Sequence, residues 1–444
     1  MKIELKNIGT IKQAEIDLDK SLLIFCGPNN SGKTYVAYSL YGAYKSQRYN
    51  TSDILLNFSE GSNNNEIIFT ITPEVVRTIL IERSGIITDD LGNLFASNQY
   101  FFNESEITIK SGLTDEELIS KINDLFIEFN FEPISGNAFK VTKPKNTHEV
   151  LIKNVDIFLD KNDARGFIDK NDQFFTDIVI GFITSMFFGK VYIAPAERIA
   201  INIFSRELSL KRSGLLRPIY EGDSKVNSRY SLPITECLRV AEDLSYLQKT
   251  QSKYPFLAEL IEQKILGGNL DVSSNGDMQF NPIGANIKGL DIHLSASMVK
   301  SLSSLVFYFR HLAEKGDFII IDEPELNLHP DNQIIMARIL ARIVNEGFKV
   351  LISTHSDYIV TEINNLIRLN SAGDDAKPLM DKYGYKQGDL IDKDVVGVYL
   401  FKDHTAIDIA VDEFGFEIST IQKENSRLAE ISESIYFDLF DKQN

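Results

Sequence analysis

Cysteine is scarce in this sequence of 444 residues, which contains only Cys26 and Cys237. Two distant cysteines argue against a disulfide framework and a cysteine-based zinc site, and they fit a reducing compartment. No apolar run reaches the ~20 residues that a membrane span requires. The most apolar stretch, Phe174–Phe188, contains Asp177 and is expected to be a buried core helix. Residues 1–10 lack the apolar core of a signal peptide. We therefore expect a cytoplasmic protein that does not enter a membrane.

Basic residues are also in deficit, because 46 Lys and Arg face 63 Asp and Glu and leave a net charge of −17. Such a surface repels nucleic acid on average, so a DNA contact would need a local basic patch. One run of basic residues has that character. It offers a contact for DNA, RNA or an acidic partner, and it equally fits a solvated helix face with internal ion pairs. The run consists of Arg198, Arg206, Lys211, Arg212 and Arg217.

No sustained heptad pattern occurs, so the sequence predicts no long coiled coil. Continuous apolar strands that alternate with helices indicate an α/β fold with a parallel or mixed sheet covered on both faces. The chain divides into four predicted parts. They are the start of the α/β core at 1–44, an inserted α+β subdomain at 45–189, the rest of the core at 190–394, and a hairpin and helix at 395–444.

Within these parts, the patterns place individual elements. A helix is expected around Asp115–Phe129 in the insert, and a final helix over Asn425–Asp441. The triplet 392–394 has the Asp-x-Asp spacing of a nuclease metal cluster. It follows a polar loop and precedes an apolar run, so we interpret it as a turn.

A phosphate-binding loop is predicted at residues 27–34, where G-x-x-x-x-G-K-T follows an apolar strand and precedes a helix. The glycines let the backbone wrap closely around a phosphate, while the loop amides and the helix N-terminus supply donors. The lysine should reach the β- and γ-phosphates, and the threonine hydroxyl should bind Mg²⁺. The candidate residues are Gly27, Asn29, Asn30, Ser31, Gly32, Lys33 and Thr34.

Two acids end the apolar run 318–321 and should lie at the carboxyl edge of a buried strand. Asp322 is predicted to hold the metal ion, and Glu323 to orient and deprotonate an attacking water. The next predicted strand, Lys349–Ser353, leads to His355, which should approach the γ-phosphate. Glu323, His355 and Lys33 are thus the predicted catalytic residues.

Together these segments resemble the ABC ATPases of the SMC, RecF and OLD (overcoming lysogenization defect) type. Residues 27–34, DEPELNLHP at 322–330 and STHS at 353–356 are similar to the Walker A, Walker B with D-loop, and H-loop segments of that group. The stretch Ala194–Arg198 resembles a PAER element of stand-alone and OLD-like members. The resemblance covers about half of the chain and implies an ABC-ATPase head, with ATP and Mg²⁺ as ligands.

The resemblance also implies a head-to-head dimer, or an assembly of such dimers, with ATP between the heads. By position, residues 294–300 correspond to the signature segment, and Ser297 is expected to contact the partner's γ-phosphate. Met298 stands where the family carries glycine, which leaves the detailed fit open. A helix N-cap role for Ser295 or Ser297 is the alternative.

Other family positions are less clear. Asn327 replaces an acid of the D-loop, and His329 is expected to brace that loop. The Q-loop glutamine is not assigned, since Gln47, Gln99 and Gln173 all remain candidates.

Three hypotheses address what the ATPase serves. The leading one is an OLD-like sensor or scaffold in bacterial anti-phage defence, which controls a separate nuclease or toxin encoded nearby. It follows largely by exclusion, because the sequence lacks the transmembrane segments of a transporter half and the coiled-coil arms of a chromosome condenser. OLD proteins proper append a nuclease after the ATPase, and the residues after His355 are expected to be too few for one, so we expect any nuclease to be another polypeptide. The alternatives are a RecF-like DNA-binding ATPase in repair or replication, and a structural protein with a degenerate site. This choice rests on family analogy.

Overall fold

A computed structural model describes residues 1–45, 58–60, 66–131, 139–154, 176–204 and 229–439. The strands are β1 Lys2–Ile8, β2 Ile11–Asp17, β3 Leu22–Cys26, β4 Phe58–Glu60, β5 Glu66–Thr70, β6 Glu106–Lys110, β7 Ile127–Phe131, β8 Phe139–Lys143, β9 Glu149–Asn154, β10 Val191–Ala194, β11 Gly268–Val272, β12 Met278–Pro282, β13 Leu290–Asp291, β14 Phe318–Asp322, β15 Lys349–Ser353, β16 Val396–Lys402 and β17 Thr405–Ile409.

The helices lie between and after these strands. They are α1 Lys33–Lys45, α2 Pro73–Asp89, α3 Leu91–Leu94, α4 Asp115–Asp124, α5 176–185, α6 198–204, α7 Leu232–Glu242, α8 Leu244–Leu247, α9 Pro255–Ile261, α10 Ser297–His311, α11 Pro330–Asn345, α12 Asp357–Ala372, α13 Lys377–Tyr383 and α14 Ser419–Leu439. Within the described part, α9 continues as a short π-helix over Glu262–Leu266.

A nine-stranded mixed sheet organises the fold, in the order β10-β14-β15-β3-β16-β17-β2-β1-β6. The half from β10 to β16 is parallel, whereas β1 pairs antiparallel with both β2 and β6. The expected α/β fold with a parallel or mixed sheet is therefore confirmed. No long coiled coil occurs among the described residues.

Both faces of the parallel half are buried, as the continuous apolar strands predict. In β3, Leu23 and Phe25 pack into one hydrophobic cluster, while Leu22, Ile24 and Cys26 pack into the other. The same alternation holds in β14 and β15, because successive side chains of a strand point to opposite faces. The sheet thus separates two cores and leaves only its edges for chemistry.

The segment 45–189 contributes to two sheets. A five-stranded antiparallel sheet, in the order β4-β5-β9-β8-β7, lies within it, whereas β6 joins the central sheet beside β1. The boundaries of the four predicted parts remain a prediction. The expected core helix is present as α5, where Val179, Ile180 and Ile183 are fully buried. Among the described residues, no helix is both long and apolar enough to cross a bilayer.

The helix predicted around Asp115–Phe129 is too long. It ends at Asp124, and residues 127–131 instead form β7, which pairs with β8. The Lys143 ammonium donates to the carbonyls of Ile122 and Leu125, the latter at 2.7 Å, and so satisfies acceptors at the helix end. The hydrophobic periodicity of this segment could not predict the end of the helix, because that end depends on a contact with another strand.

The carboxyl-terminal part contains the expected hairpin, β16 and β17, and then α14, which begins at Ser419 rather than Asn425. Asp392 caps a short 3-10 helix by accepting a hydrogen bond from the Asp394 amide at 2.8 Å. The triplet 392–394 is therefore a turn, as predicted.

Replacement of Lys143 by Met should lower the free energy of unfolding by about 2 kcal/mol or more, because buried carbonyls lose their donor. The matched control is Lys140→Met in the same strand, whose exposed ion pair with Glu128 spans 2.8 Å. The control should change stability by less than about 0.5 kcal/mol. Urea denaturation of both variants measures the difference, and equal effects would contradict the assigned role of Lys143.

Candidate functional site

Three neighbouring parallel strands bring the predicted site residues to one edge of the sheet. Asp322 at the end of β14 lies opposite Ser353 of β15, and Ser353 lies opposite Phe25 of β3. The Thr354 amide donates to the Phe25 carbonyl at 2.9 Å and extends this alignment past the strand end. The segments that follow the three strands are the phosphate-loop, the acid pair and the His355 segment, so they meet in space.

The loop after β3 takes its shape from two glycines with left-handed φ angles, 140° at Gly27 and 101° at Gly32. A Cβ at Gly27 would collide with the carbonyl oxygen of Phe401, and a Cβ at Gly32 would collide with the Ile11 side chain. Asn30 also has a left-handed φ of 59°, which asparagine tolerates better than most residues. The glycine spacing is therefore required by packing on both sides.

The remaining loop residues face outward or lead into α1. Asn29 and Asn30 are exposed, Ser31 is half-buried, and Thr34 is exposed at the start of α1. The amides at the start of α1 and its dipole favour an anion at this point. All seven predicted phosphate-binding residues thus lie on one continuous loop and helix start.

Lys33 is buried, with 7% of its surface exposed. Its ammonium donates to the carbonyls of Gly27 at 3.0 Å and Pro28 at 2.9 Å, which holds it across the mouth of the loop. Burial lowers the pKa of Lys33, and the Asp322 carboxylate opposes that shift. A phosphate that replaces these carbonyls would meet a desolvated ammonium, where electrostatic attraction is strongest.

Asp322 and Thr34 form an oxygen pair suited to a magnesium ion. The Thr34 hydroxyl lies 3.3 Å from Asp322 Oδ2, and the Ser353 hydroxyl donates to Asp322 Oδ1. Mg²⁺ is commonly held by one or two protein oxygens together with substrate phosphates. These residues fit that ion, and Ser353 orients the carboxylate that would bind it.

Glu323 is half-buried and has an unusual left-handed φ of 50°. Its amide bonds to Ser353, at 3.0 Å to the carbonyl and 3.2 Å to the hydroxyl. A left-handed φ in a residue other than glycine is rare and costs about 1 kcal/mol or more, so the surrounding contacts must stabilise it. This change of backbone direction lets the Asp322 and Glu323 side chains leave the end of β14 in different directions.

His355 lies in the same electrostatic environment as Lys33, Asp322 and Glu323. Burial and then the nearby Lys33 ammonium lower the pKa of His355, while the two acids oppose the shift. This shift favours the neutral ring, which can take part in a hydrogen bond to a phosphate oxygen.

The backbone around Thr354 and His355 is held by an acid that motif reasoning did not single out. Glu325 Oε1 accepts from the Thr354 hydroxyl at 2.9 Å and from the His355 amide at 2.7 Å. Burial raises the pKa of Glu325. Glu325 is part of the DEPE sequence at 322–325, but its contact with the residues after β15 depends on the fold and could not be predicted from the motif.

Ser297 is exposed and is the first residue of α10. In the sequence it lies outside both the 27–34 loop and the segment of the acid pair. Ala296 occupies the N-cap position and makes no side-chain cap, whereas the Ser295 hydroxyl donates to the Ile292 carbonyl at 2.6 Å. Neither serine is therefore the helix cap. Ser297 stands at an uncapped helix N-terminus that is open to a second molecule.

The other predicted positions have plainer roles. His329 is the N-cap of α11, with its Nδ1 3.5 Å from the Asp331 amide, while Asn327 has a left-handed φ of 62°. Gln99 bonds to Gly92 and to the Thr88 carbonyl, so it has a local structural role. Gln47 and Gln173 lie outside the described residues.

The basic run is only partly described, and its first member is not on a surface. Arg198 is 2% exposed, and its guanidinium donates to the carbonyls of Asp322 and Glu323. Neither the solvated-face interpretation nor the nucleic-acid interpretation applies to this residue. The other four members, Arg206, Lys211, Arg212 and Arg217, lie outside the described residues.

Comparison with known proteins identifies the family. The model of the AAA ATPase domain matches residues 1–360, so the chain belongs to the AAA ATPase domain family. The prediction of a nucleotide-binding P-loop ATPase is thereby confirmed. The OLD-like assignment stays a prediction. No curated protein matches the chain in sequence.

Several solved structures are similar to this chain at low sequence identity. A Smc head bound to the C-winged helix domain of ScpA is 11% identical, with a TM-score of 0.33, and covers 92% of this chain and 98% of that one. A Smc head from Pyrococcus furiosus, bound to the C-terminal domain of ScpA, has the same identity and TM-score and covers 97% and 98%. The SMC head domain from Thermotoga maritima is 10% identical, with a TM-score of 0.31 and coverages of 93% and 98%.

Replacement of Lys33 by Ala should weaken MgATP binding at least about 30-fold, since a charge-assisted contact to phosphate contributes ~2–3 kcal/mol. Lys382→Ala, which removes an exposed lysine of α13, is the control and should bind normally. Titration with a fluorescent ATP analogue measures both affinities, with circular dichroism to verify folding. Unchanged affinity in folded Lys33→Ala protein would refute the phosphate site.

Proposed function

We propose that this chain is a magnesium-dependent ATPase whose two heads close on ATP and whose closed state controls a separate effector protein in bacterial anti-phage defence. The observation that carries the ATPase part is the meeting of Lys33, Asp322 and Glu323 at one sheet edge. The defence role extends the resemblance to OLD-like proteins and is the less direct part of the proposal.

In the proposed reaction, the loop at 27–34 and the start of α1 hold the phosphates, with Lys33 against the β- and γ-phosphates. Thr34 and Asp322 would hold Mg²⁺, which supplies charge neutralisation on the phosphate oxygens when bound. Glu323 accepts a proton from the attacking water, which adds to the γ-phosphorus as the bond to ADP breaks. His355 contacts the γ-phosphate through its ring.

Dimerisation would complete the site. The exposed N-terminus of α10 lacks a side-chain cap, so its amides and the Ser297 hydroxyl are available to the γ-phosphate held by a second copy. Met298 follows where the related ATPases carry glycine. Its sulfur lies 3.8 Å from Nδ2 of the Asn332 side chain. This weak contact joins the segment after Ser297 to α11.

The choice of a protein effector over DNA follows from charge. A net charge of −17 disfavours nucleic acid, and the one described member of the basic run, Arg198, is buried. An acidic ATPase without a membrane-spanning helix in its described part fits a scaffold that acts through another polypeptide.

Replacement of Glu323 by Gln should slow ATP hydrolysis about 100-fold or more while leaving ATP bound, because the amide cannot accept the proton of water. ATP-bound dimers should then accumulate, which light scattering after size exclusion detects. Glu346→Gln, at an exposed position after α11, is the control. Hydrolysis at the wild-type rate would show that another group is the base.

The same trapped protein tests the contact across the dimer. Ser297→Glu in the Glu323→Gln background should abolish the ATP-dependent dimer, since a carboxylate would face the partner's γ-phosphate. Ser371→Glu, at the far end of α12, should leave the dimer intact. Dimers that persist with Ser297→Glu would remove Ser297 from the interface.

The defence role predicts a complex with the product of the adjacent gene. Co-expression should yield a copurifying pair, and toxicity of that neighbour in cells should depend on Lys33 and Glu323. Absence of a complex together with unchanged toxicity would count against this role. Tight ATP-dependent DNA binding at physiological salt would favour the RecF-like function instead.

A further inference from the structure

Arg198 is a buried cation whose bonds go almost entirely to backbone carbonyls. It begins α6, directly after β10, and is 2% exposed. No ion pair of Arg198 with an acidic side chain is found in the part of the chain that the structure describes. Burial of an arginine without such a partner is costly, so its position calls for a reason beyond charge pairing.

One side of the guanidinium binds the backbone of the acid pair. Nη1 donates to the Asp322 carbonyl at 2.5 Å, and Nη2 donates to the Glu323 carbonyl at 2.7 Å. These two carbonyls belong to the peptides on either side of the Glu323 Cα, where φ has the left-handed value of 50°. Hydrogen bonds to both carbonyls therefore set the direction in which the Glu323 carboxylate leaves the backbone.

The other side of the guanidinium binds α10. Nε donates to the Ser301 carbonyl at 3.1 Å and to the Ser301 hydroxyl at 3.0 Å. Ser301 lies four residues, or about one helical turn, after Ser297. Nη1 also donates to the Pro195 carbonyl at 3.1 Å, which anchors the group to the end of β10.

We propose that Arg198 is a positioning residue that couples the helix of Ser297 to the peptide that carries Glu323. The planar guanidinium has donors in a fixed fork, so a shift of α10 changes the hydrogen bonds available to the acid pair. Contact of Ser297 with the partner's nucleotide would thus align the base in the same chain. The part of this inference that concerns the partner rests on the proposed head-to-head dimer.

Lysine cannot reproduce this arrangement, because its ammonium is a point charge on a flexible stem and cannot span both carbonyls and Ser301. Arg198→Lys should therefore lower kcat roughly 30- to 100-fold, as expected for misplacement of a catalytic group by about 1 Å. The dissociation constant for MgATP should change by less than about threefold, because Arg198 does not touch the phosphate loop. A parallel loss of affinity, or a normal kcat, would overturn the proposal.

Asn202→Ala is the matched control. Asn202 lies on the same helix and donates to the Lys300 carbonyl at 2.7 Å and the Ser303 hydroxyl at 3.0 Å, with no contact to the acid pair. It loosens the same pair of helices, so it should affect the melting temperature and leave kcat within about threefold. If Asn202→Ala lowers kcat as much as Arg198→Lys, helix packing alone accounts for the effect.

Ser301→Ala keeps the proposal testable if Arg198→Lys does not fold. This variant removes only the hydroxyl acceptor and should lower kcat a few-fold with unchanged MgATP affinity. The turnover rate per chain should depend on protein concentration, because the proposed active form is a dimer. If Ser301→Ala changes neither kcat nor this dependence, the coupling to α10 is refuted.

A double-mutant comparison separates this inference from the proposed base. In the Glu323→Gln background, Arg198→Lys should cause no further loss of residual hydrolysis, because its effect passes through Glu323. An additive loss would refute the positioning role while leaving Glu323 as the base. Normal hydrolysis by Glu323→Gln alone would refute the base assignment instead.

Discussion

The register of three parallel strands is the constraint on which the site depends. Asp322, Ser353 and Phe25 lie side by side across the sheet, so the segments after them emerge at one edge. A shift of one residue in any strand would turn its side chains to the other face. Packing on both faces opposes such a shift, because alternate residues of each strand belong to two different hydrophobic clusters.

The strand ends are held by polar contacts rather than by packing. Ser353 binds the Asp322 carboxylate and the Glu323 amide, while Glu325 binds Thr354 and the His355 amide. The acidic segment after β14 and the loop after β15 thus stabilise each other. The bond between Ser353 and the Asp322 carboxylate is buried, those to the Glu323 amide and the Thr354 hydroxyl are partly buried, and the one to the His355 amide is exposed. Breaking one of the first three leaves polar groups shielded from water without a partner, so the site behaves as a connected unit. This explains how a left-handed Glu323 is maintained without glycine.

Sequence patterns predicted the parts of this site that repeat a local rule. The apolar runs of β3 and β15 and the start of α1 occur at the predicted residues, because hydrophobic continuity and glycine spacing are local signals. The helix after Asp115 was predicted too long, since its end depends on Lys143 from another strand. Arg198 was assigned to a basic run for a similar reason. Charge patterns show composition, and they do not show which cations the fold buries.

Burial of Arg198 also changes how the acidity of the chain is understood. A protein with a net charge of −17 must gather positive potential locally if it is to hold a triphosphate. Here Lys33 and the N-terminus of α1 provide it at the loop, and the Lys33 side chain is buried, which strengthens its electrostatic interactions. Arg198 instead donates to backbone carbonyls, including those of Asp322 and Glu323, and to the Ser301 hydroxyl. Lys33, whose proposed partner is a phosphate, and Arg198, which binds the backbone of the acid pair, are thus two buried cations with different roles, and net charge predicts neither.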